Sequence, residues 1–261
     1  MTNNNAIGIF DSGVGGLTVL EQIRKELPNE NIIYLGDTKN FPYGGKCRED
    51  IIKYSKSNAE FLIEKGVKII VVACGTATSQ ALEQIKDMFD IPIIGIIDPT
   101  VKYVKENNIN KIGVMATEGT IRSGAWEKHL KKQIPDIKVE NKACPVMATI
   151  AEEGRALSRE GRNAIRTYIK PFIEKDINKI ILGCTHYPIY QTIIKEEMPY
   201  KVELIDTGYT VARYLKKYLK ENNMENKERK TKEIVYLTKT EESFKSIAQN
   251  ILNCNITIET M

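Results

Sequence analysis

Short runs of β-branched and apolar residues alternate with longer stretches of helical spacing along nearly the whole chain, and this alternation restricts the fold more than any other feature. Residues 6–10, 31–35, 67–73 and 91–97 read as strands, with helical spacing over 17–27, 51–65 and 78–89 between them. The run Val67 to Ala73 is apolar on both faces apart from Lys68, which suits a central strand covered on both sides. Residues 111–115, 179–183 and 202–205 continue the strands, with helices expected at 123–132 and 163–175. A tail of strand (233–237), helix (242–252) and strand (255–259) closes the chain. Strands that alternate with helices pair in parallel and carry the helices on their faces, so the expected class is α/β with mainly parallel sheets.

The alternation also repeats. Ile7-Gly8-Ile9-Phe10-Asp11-Ser12 aligns with Ile112-Gly113-Val114-Met115-Ala116-Thr117. The segment around Cys74 aligns with that around Cys184, and Ile97-Asp98-Pro99-Thr100 with Ile205-Asp206-Thr207-Gly208. The matched residues stand about 105 to 110 positions apart in all three cases. Two similar α/β domains related by pseudo-symmetry are therefore expected, 1–97 plus 208–261 and 98–207, with the active site in the cleft between them. The tail should return to the first domain. The polar stretch 222–232 reads as a surface loop.

Composition narrows the function classes. Lys and Arg number 38 against 34 Asp and Glu, a net charge of +4 that permits a small anionic substrate and gives no reason to expect nucleic acid. The basic stretch 226–232 reads as a solvated linker. No apolar run is long enough to cross a bilayer, and the N-terminus MTNNNAIGIF carries no signal-peptide pattern, so a cytoplasmic location is expected. Five cysteines, an odd number in such a chain, read as free thiols.

In open parallel sheets, ligands bind beyond the carboxyl ends of the strands. Asp11-Ser12, Cys74, Thr117 and Cys184 all stand at such ends. Cys74 precedes an expected helix, whose N-terminal amides favour a thiolate. Cys184 lies in Gly183-Cys184-Thr185-His186-Tyr187-Pro188, with His186 close enough in sequence to exchange its proton. Cys47, Cys144 and Cys254 lack this setting and read as structural. With two histidines, one of them in the Lys-rich segment around His129, and no Cys-x-x-Cys, a metal site is not expected. Asp11-Ser12-Gly13-Val14-Gly15-Gly16-Leu17-Thr18 sits where a dinucleotide fingerprint would, with Asp37 placed to hold a ribose. Thr18 replaces the third glycine, however, and a carboxylate at the turn would repel pyrophosphate.

Four segments together, Phe10 to Gly16, Pro42-Tyr43-Gly44, Ala73-Cys74-Gly75-Thr76-Ala77 and Gly183 to Pro188, resemble the glutamate racemase family of the aspartate/glutamate racemase superfamily. The likeness runs from about Ile7 to Asp206. It implies cofactor-independent interconversion of L- and D-glutamate, with D-glutamate destined for peptidoglycan and cell-wall biogenesis. It also implies that Cys74 acts on the α-proton of the D-enantiomer and Cys184 on that of the L-enantiomer. Asp11 and Glu152 correspond to acid partners near Cys74, and His186 to the partner of Cys184. Asp11, Ser12, Pro42, Tyr43, Gly44, Gly75, Thr76, Thr185 and His186 match substrate contacts, with Thr117 and Thr120 as further carboxylate contacts. A homodimer is implied as well.

Two departures bear on the substrate. Gly75 stands where the family usually has Asn, and residues 144–152 are smaller and more polar than the usual apolar run. A racemase of aspartate or a hydantoin, a one-thiol decarboxylase, and a non-catalytic binder of acidic amino acids are the alternatives. Two thiols suit racemisation because one proton must leave one face of the α-carbon while another arrives at the opposite face.

Overall fold

The computed structural model describes residues 4–227, 231–240, 242–252 and 257–261. Cys254 and the start of the last expected strand lie outside them. The strands are β1 (Ile7–Asp11), β2 (Ile32–Gly36), β3 (Ile69–Val72), β4 (Ile93–Gly95), β5 (Lys111–Ala116), β6 (Lys138–Ala143), β7 (Lys179–Leu182), β8 (Glu203–Asp206), β9 (Glu233–Leu237) and β10 (Ile258–Thr260). The helices are α1 (Leu17–Glu26), α2 (Arg48–Glu64), α3 (Gly75–Gln80), α4 (Leu82–Ile85), α5 (Ile97–Glu106), α6 (Glu118–Arg122), α7 (Ala125–Gln133), α8 (Met147–Glu152), α9 (Arg159–Glu174), α10 (Gln191–Glu197), α11 (Thr207–Glu221) and α12 (Glu242–Leu252). None of the described helices is long and apolar enough to cross a membrane.

The strands form two sheets in the orders β10-β9-β2-β1-β3-β4 and β6-β5-β7-β8, and every strand pair is parallel. The expected α/β class is the observed one. The second sheet repeats the β2-β1-β3-β4 portion of the first, and two of the three landmarks matched in sequence occupy matching strands, β1 with β5 and β3 with β7; in the third, residues 97–100 start α5 whereas Ile205 and Asp206 end β8. β9 and β10 extend the first sheet at its β2 edge.

Burial on both faces explains the apolar runs. Ile69 and Val71 face one core and Ile70 and Val72 another. β7 does the same, with Ile181 on one side and Ile180 and Leu182 on the other. The core between the sheets joins Ile9, Val71, Val114 and Ile181 to Leu20 of α1, Val104 of α5, Trp126 of α7 and Leu215 of α11. β6 carries no strand signal in its sequence: it is an edge strand, partly exposed along its length, with the polar sequence KVENKA. Its order comes from its ladder to β5, from Lys111↔Lys138 to Ala116↔Ala143. The single helix expected over 78–89 is instead two, α3 and α4, meeting at Ala81, and α3 starts directly after Cys74.

The segment leaving α11 is fixed by a buried ion pair. Lys68 Nζ donates to Glu30 Oε2 at 2.6 Å and to the Met224 carbonyl at 2.7 Å, and the Asn226 amide donates to Glu30 Oε1 at 2.8 Å. This accounts for the one charged residue in the 67–73 run.

Candidate active site

Strand order reverses around β1 in the first sheet and around β5 in the second, and a crevice opens at such points. Cys74 follows β3 and Cys184 follows β7, the equivalent neighbours of those central strands. Both thiols line one cavity of about 170 Å³. Ser12, Pro42, Tyr43, Gly44, Gly75 and Thr76 border it from the first sheet's side, and Thr117, Thr185 and His186 from the second. Asp11, Glu152 and Thr120 stand behind this wall and act on it through hydrogen bonds. Phe41, Gly45, Glu118, Pro145 and Ala148, none of them among the candidate site residues, also line the cavity. Phe41 has a readable signal, since it begins the turn Phe41-Pro42-Tyr43-Gly44, and its ring packs 5.7 Å from that of His186.

Cys184 heads a relay. Its Sγ lies 3.7 Å from His186 Nδ1, and His186 Nε2 lies 2.9 Å from Glu152 Oε1. Glu152 also accepts from the Val14 amide at 2.7 Å. The carboxylate expected beside Cys74 therefore bonds the imidazole on the Cys184 side. α8, placed by the turn after β6, carries it there. Burial alone would lower the His186 pKa, but the hydrogen bonds to Cys184 and Glu152 outweigh burial and raise it well above its usual value. The arrangement favours an imidazolium next to Cys184.

Cys74 has different neighbours. Its thiol donates to Ser12 Oγ at 3.8 Å. Burial pushes it up to about 12, Asp11 and Cys184 add to the rise, and the Ala77 amide and Ser12 oppose it. The helix start thus acts in the expected direction, but α3 has only 6 residues and burial outweighs it. These surroundings hold Cys74 as a thiol. Asp11 is itself buried and raised to about 6, chiefly by burial, with His186 and the Gly13 amide pulling the other way.

Hydroxyls join the two sides. Thr76 Oγ1 lies 2.9 Å from Thr117 Oγ1, which lies 2.8 Å from Thr120 Oγ1. Thr185 Oγ1 donates to Asp11 Oδ1 at 3.2 Å, and Thr18 Oγ1 to the Thr185 carbonyl at 2.9 Å. A carboxylate entering the cavity meets hydroxyl donors from both sheets.

The glycine turn is already filled. Asp11 Oδ2 accepts from the Gly13 and Gly16 amides, and Glu152 from Val14, so the amides a pyrophosphate would need are occupied by carboxylates. Asp37, the candidate ribose ligand, instead accepts from Tyr43, Asn40 and Thr238. This network fixes the Tyr43 ring at the cavity wall and turns its hydroxyl toward Asp37. His129 pairs with Asp98 away from the site. Cys144 is buried and Cys47 exposed before α2. Among the described residues, no three His, Cys, Asp or Glu side chains cluster to hold a metal ion.

Comparison with known proteins agrees with this geometry. Residues 7–215 match the model of the Asp/Glu/Hydantoin racemase family. A glutamate racemase of Lactococcus lactis is 40% identical over 253 residues, 96% of this chain and 93% of the relative. The crystal structure of a Francisella tularensis glutamate racemase in complex with D-glutamate superposes with a TM-score of 0.93 at 35% identity, covering 99% of this chain and 98% of that one. A Bacillus anthracis glutamate racemase isoform gives a TM-score of 0.95 at 33% identity with the same coverage. With the fold, the paired strand-end thiols and the matched sequence in agreement, the chain belongs to the Asp/Glu/Hydantoin racemase family.

Proposed function

We propose that this protein is a glutamate racemase that interconverts the enantiomers between Cys74 and Cys184 and supplies D-glutamate for peptidoglycan. The observation that carries the reading is that two thiols, from equivalent strand ends of two matching sheets, open onto one small cavity. Similarity to glutamate racemases over nearly the whole chain supports the substrate.

Starting from L-glutamate, the Cys184 thiolate, paired with the His186 imidazolium, removes the α-proton and becomes a thiol. The Cys74 thiol delivers its proton to the opposite face of the carbanion and becomes a thiolate. The D-enantiomer leaves, and D-glutamate is converted by the same two transfers in reverse. Glu152 accepts from His186 Nε2 and holds the imidazolium in the orientation this needs. Asp11 raises the basicity of the Cys74 thiolate, which strengthens it as the base in the reverse direction. Thr76 and Thr117, with Ser12 and Thr185, donate to the carboxylates as charge builds on the substrate, and Thr120 holds the Thr117 hydroxyl from behind. The units 1–97 with 208–261 and 98–207 close over the ligand and exclude water. We place the enzyme in the cytoplasm as a homodimer, which light scattering on the purified protein checks.

The test is interconversion of glutamate, aspartate and other amino acids, followed by chiral chromatography without added cofactor. Glutamate should be the fastest substrate, and absence of glutamate turnover overturns the assignment. A second reading, an aspartate racemase, rests on the small cavity and on Gly75, and faster aspartate turnover would establish it.

A further inference from the structure

Pro188 leaves one carbonyl of the Cys184 turn without a partner inside that turn. After β7 the chain curls into a 3₁₀ turn over Tyr187–Tyr190, whose hydrogen bonds run from a carbonyl to the amide three residues on. The Cys184 carbonyl accepts from the Tyr187 amide at 3.0 Å, and the His186 carbonyl from the Ile189 amide at 3.3 Å. The Thr185 carbonyl between them would need an N–H at residue 188, which proline does not have.

A hydroxyl from the first sheet's side fills the gap. Thr18, near the start of α1, donates to the Thr185 carbonyl at 2.9 Å. Its oxygen also lies 2.9 Å from the Gly15 carbonyl, but that carbonyl already accepts from the Thr18 amide at 3.0 Å. A hydroxyl has one proton to give, and the Thr185 carbonyl gains more from it. Both threonines are buried, where an unpartnered carbonyl is costly. Thr18 is also the residue that breaks the dinucleotide fingerprint in the glycine turn.

The bonded carbonyl belongs to the peptide between Thr185 and His186, and Thr185 follows Cys184 directly. The Thr185 hydroxyl reaches the same side, donating to Asp11 Oδ1 at 3.2 Å. We propose that Thr18 is a positioning residue, whose hydroxyl ties the Cys184 turn to α1 and so holds the His186 imidazole at the Cys184 sulfur. The inference rests on the two-thiol reading above. Without the hydroxyl, the 185–186 peptide turns toward another donor and carries the imidazole with it, and a misplacement of about 1 Å at reacting groups costs on the order of 100-fold in rate.

Thr18→Val removes the hydroxyl and keeps the branched shape, while Thr18→Ser keeps the hydroxyl. Circular dichroism checks that each variant is folded, and Thr18→Ala replaces Thr18→Val if that one is not. With glutamate, Thr18→Val should lower kcat by about 10- to 100-fold, and Thr18→Ser should stay within about threefold of the wild type. A second readout needs no turnover. Iodoacetamide labelling at neutral pH, followed by peptide mass spectrometry, should slow by about tenfold at Cys184 in Thr18→Val and stay unchanged at Cys74. General loosening of the fold would change both cysteines alike. Wild-type kcat in Thr18→Val, a Thr18→Ser as slow as Thr18→Val, or equal changes at the two cysteines overturns the proposal. If the wild type turns over no glutamate, the racemase assignment fails, while the labelling rates still test the tie.

Discussion

Cys74 and Cys184 follow the same strand of the same four-strand pattern, yet their surroundings differ in kind. Cys184 faces an imidazole that is itself held by a carboxylate. Cys74 faces a serine and a buried acid whose charge opposes its own. In the proposed reaction, equivalent placement gives one thiol for each face of an α-carbon, and unequal neighbours let one sulfur start as thiolate while the other starts as thiol. A symmetric pair could share one proton without preferring either sulfur, whereas unequal neighbours decide which one holds it.

Removing either sulfur breaks the comparison outright. Cys74→Ala and Cys184→Ala should each lower racemisation by at least about 1000-fold in a polarimetric assay, within the range for loss of a general acid or base. Activity surviving in one variant makes the other thiol sufficient and ends the two-base scheme.

Glu152→Gln sharpens it. Enantiomers have equal free energy, so kcat/KM must fall equally in both directions, by about 10- to 100-fold. The asymmetry emerges in isotope effects. With proton transfer at Cys184 slowed, the effect with α-deuterated L-glutamate should grow and that with α-deuterated D-glutamate should shrink. Equal changes would show that Glu152 serves both thiols.

Asp11→Asn tests the other side through stability. Asp11 is raised to about 6, so the folded protein holds a proton there that the unfolded chain releases near 3.8. Its contribution is fully present below 3.8 and is lost as pH rises through about 6. A rise of this size corresponds to about 3 kcal/mol, an upper bound here. Urea unfolding should show the wild type gaining stability relative to Asp11→Asn between pH 7 and pH 5. A constant difference would mean that burial does not govern this carboxyl.

Thr120→Val should have the smallest effect. It removes one hydroxyl of the Thr76–Thr117–Thr120 cluster, worth about 0.5–1.5 kcal/mol, so KM for glutamate should rise about two- to tenfold. An unchanged KM would place the substrate carboxylate elsewhere.

Much of this arrangement is legible in the amino-acid sequence. The strands around Cys74 and Cys184 can be read because burial on both faces leaves continuous apolar runs, and turn glycines mark where they end. β6 cannot, because an edge strand with half-exposed lysine, glutamate and asparagine carries no periodic signal. The partner of Glu152 differs from the expected one for a related reason: spacing along the chain says nothing about which side of the cleft α8 approaches. The motifs point to Asp11 and Thr120 but not to their place behind the cavity wall, since sequence does not separate contact from support. In sequence, Gly75 reads as a lost hydrogen-bonding side chain. Only the packed structure shows that the opposite turn occupies the space it leaves.

The most direct test of the two-thiol scheme is solvent deuterium exchange at the α-carbon, followed by proton NMR and chiral analysis in deuterated buffer. Cys74→Ala should exchange the α-proton of L-glutamate alone and return it as L-glutamate, while Cys184→Ala should do the same for D-glutamate. If either variant exchanges both enantiomers, or releases the opposite one, the assignment of one sulfur to each face is wrong.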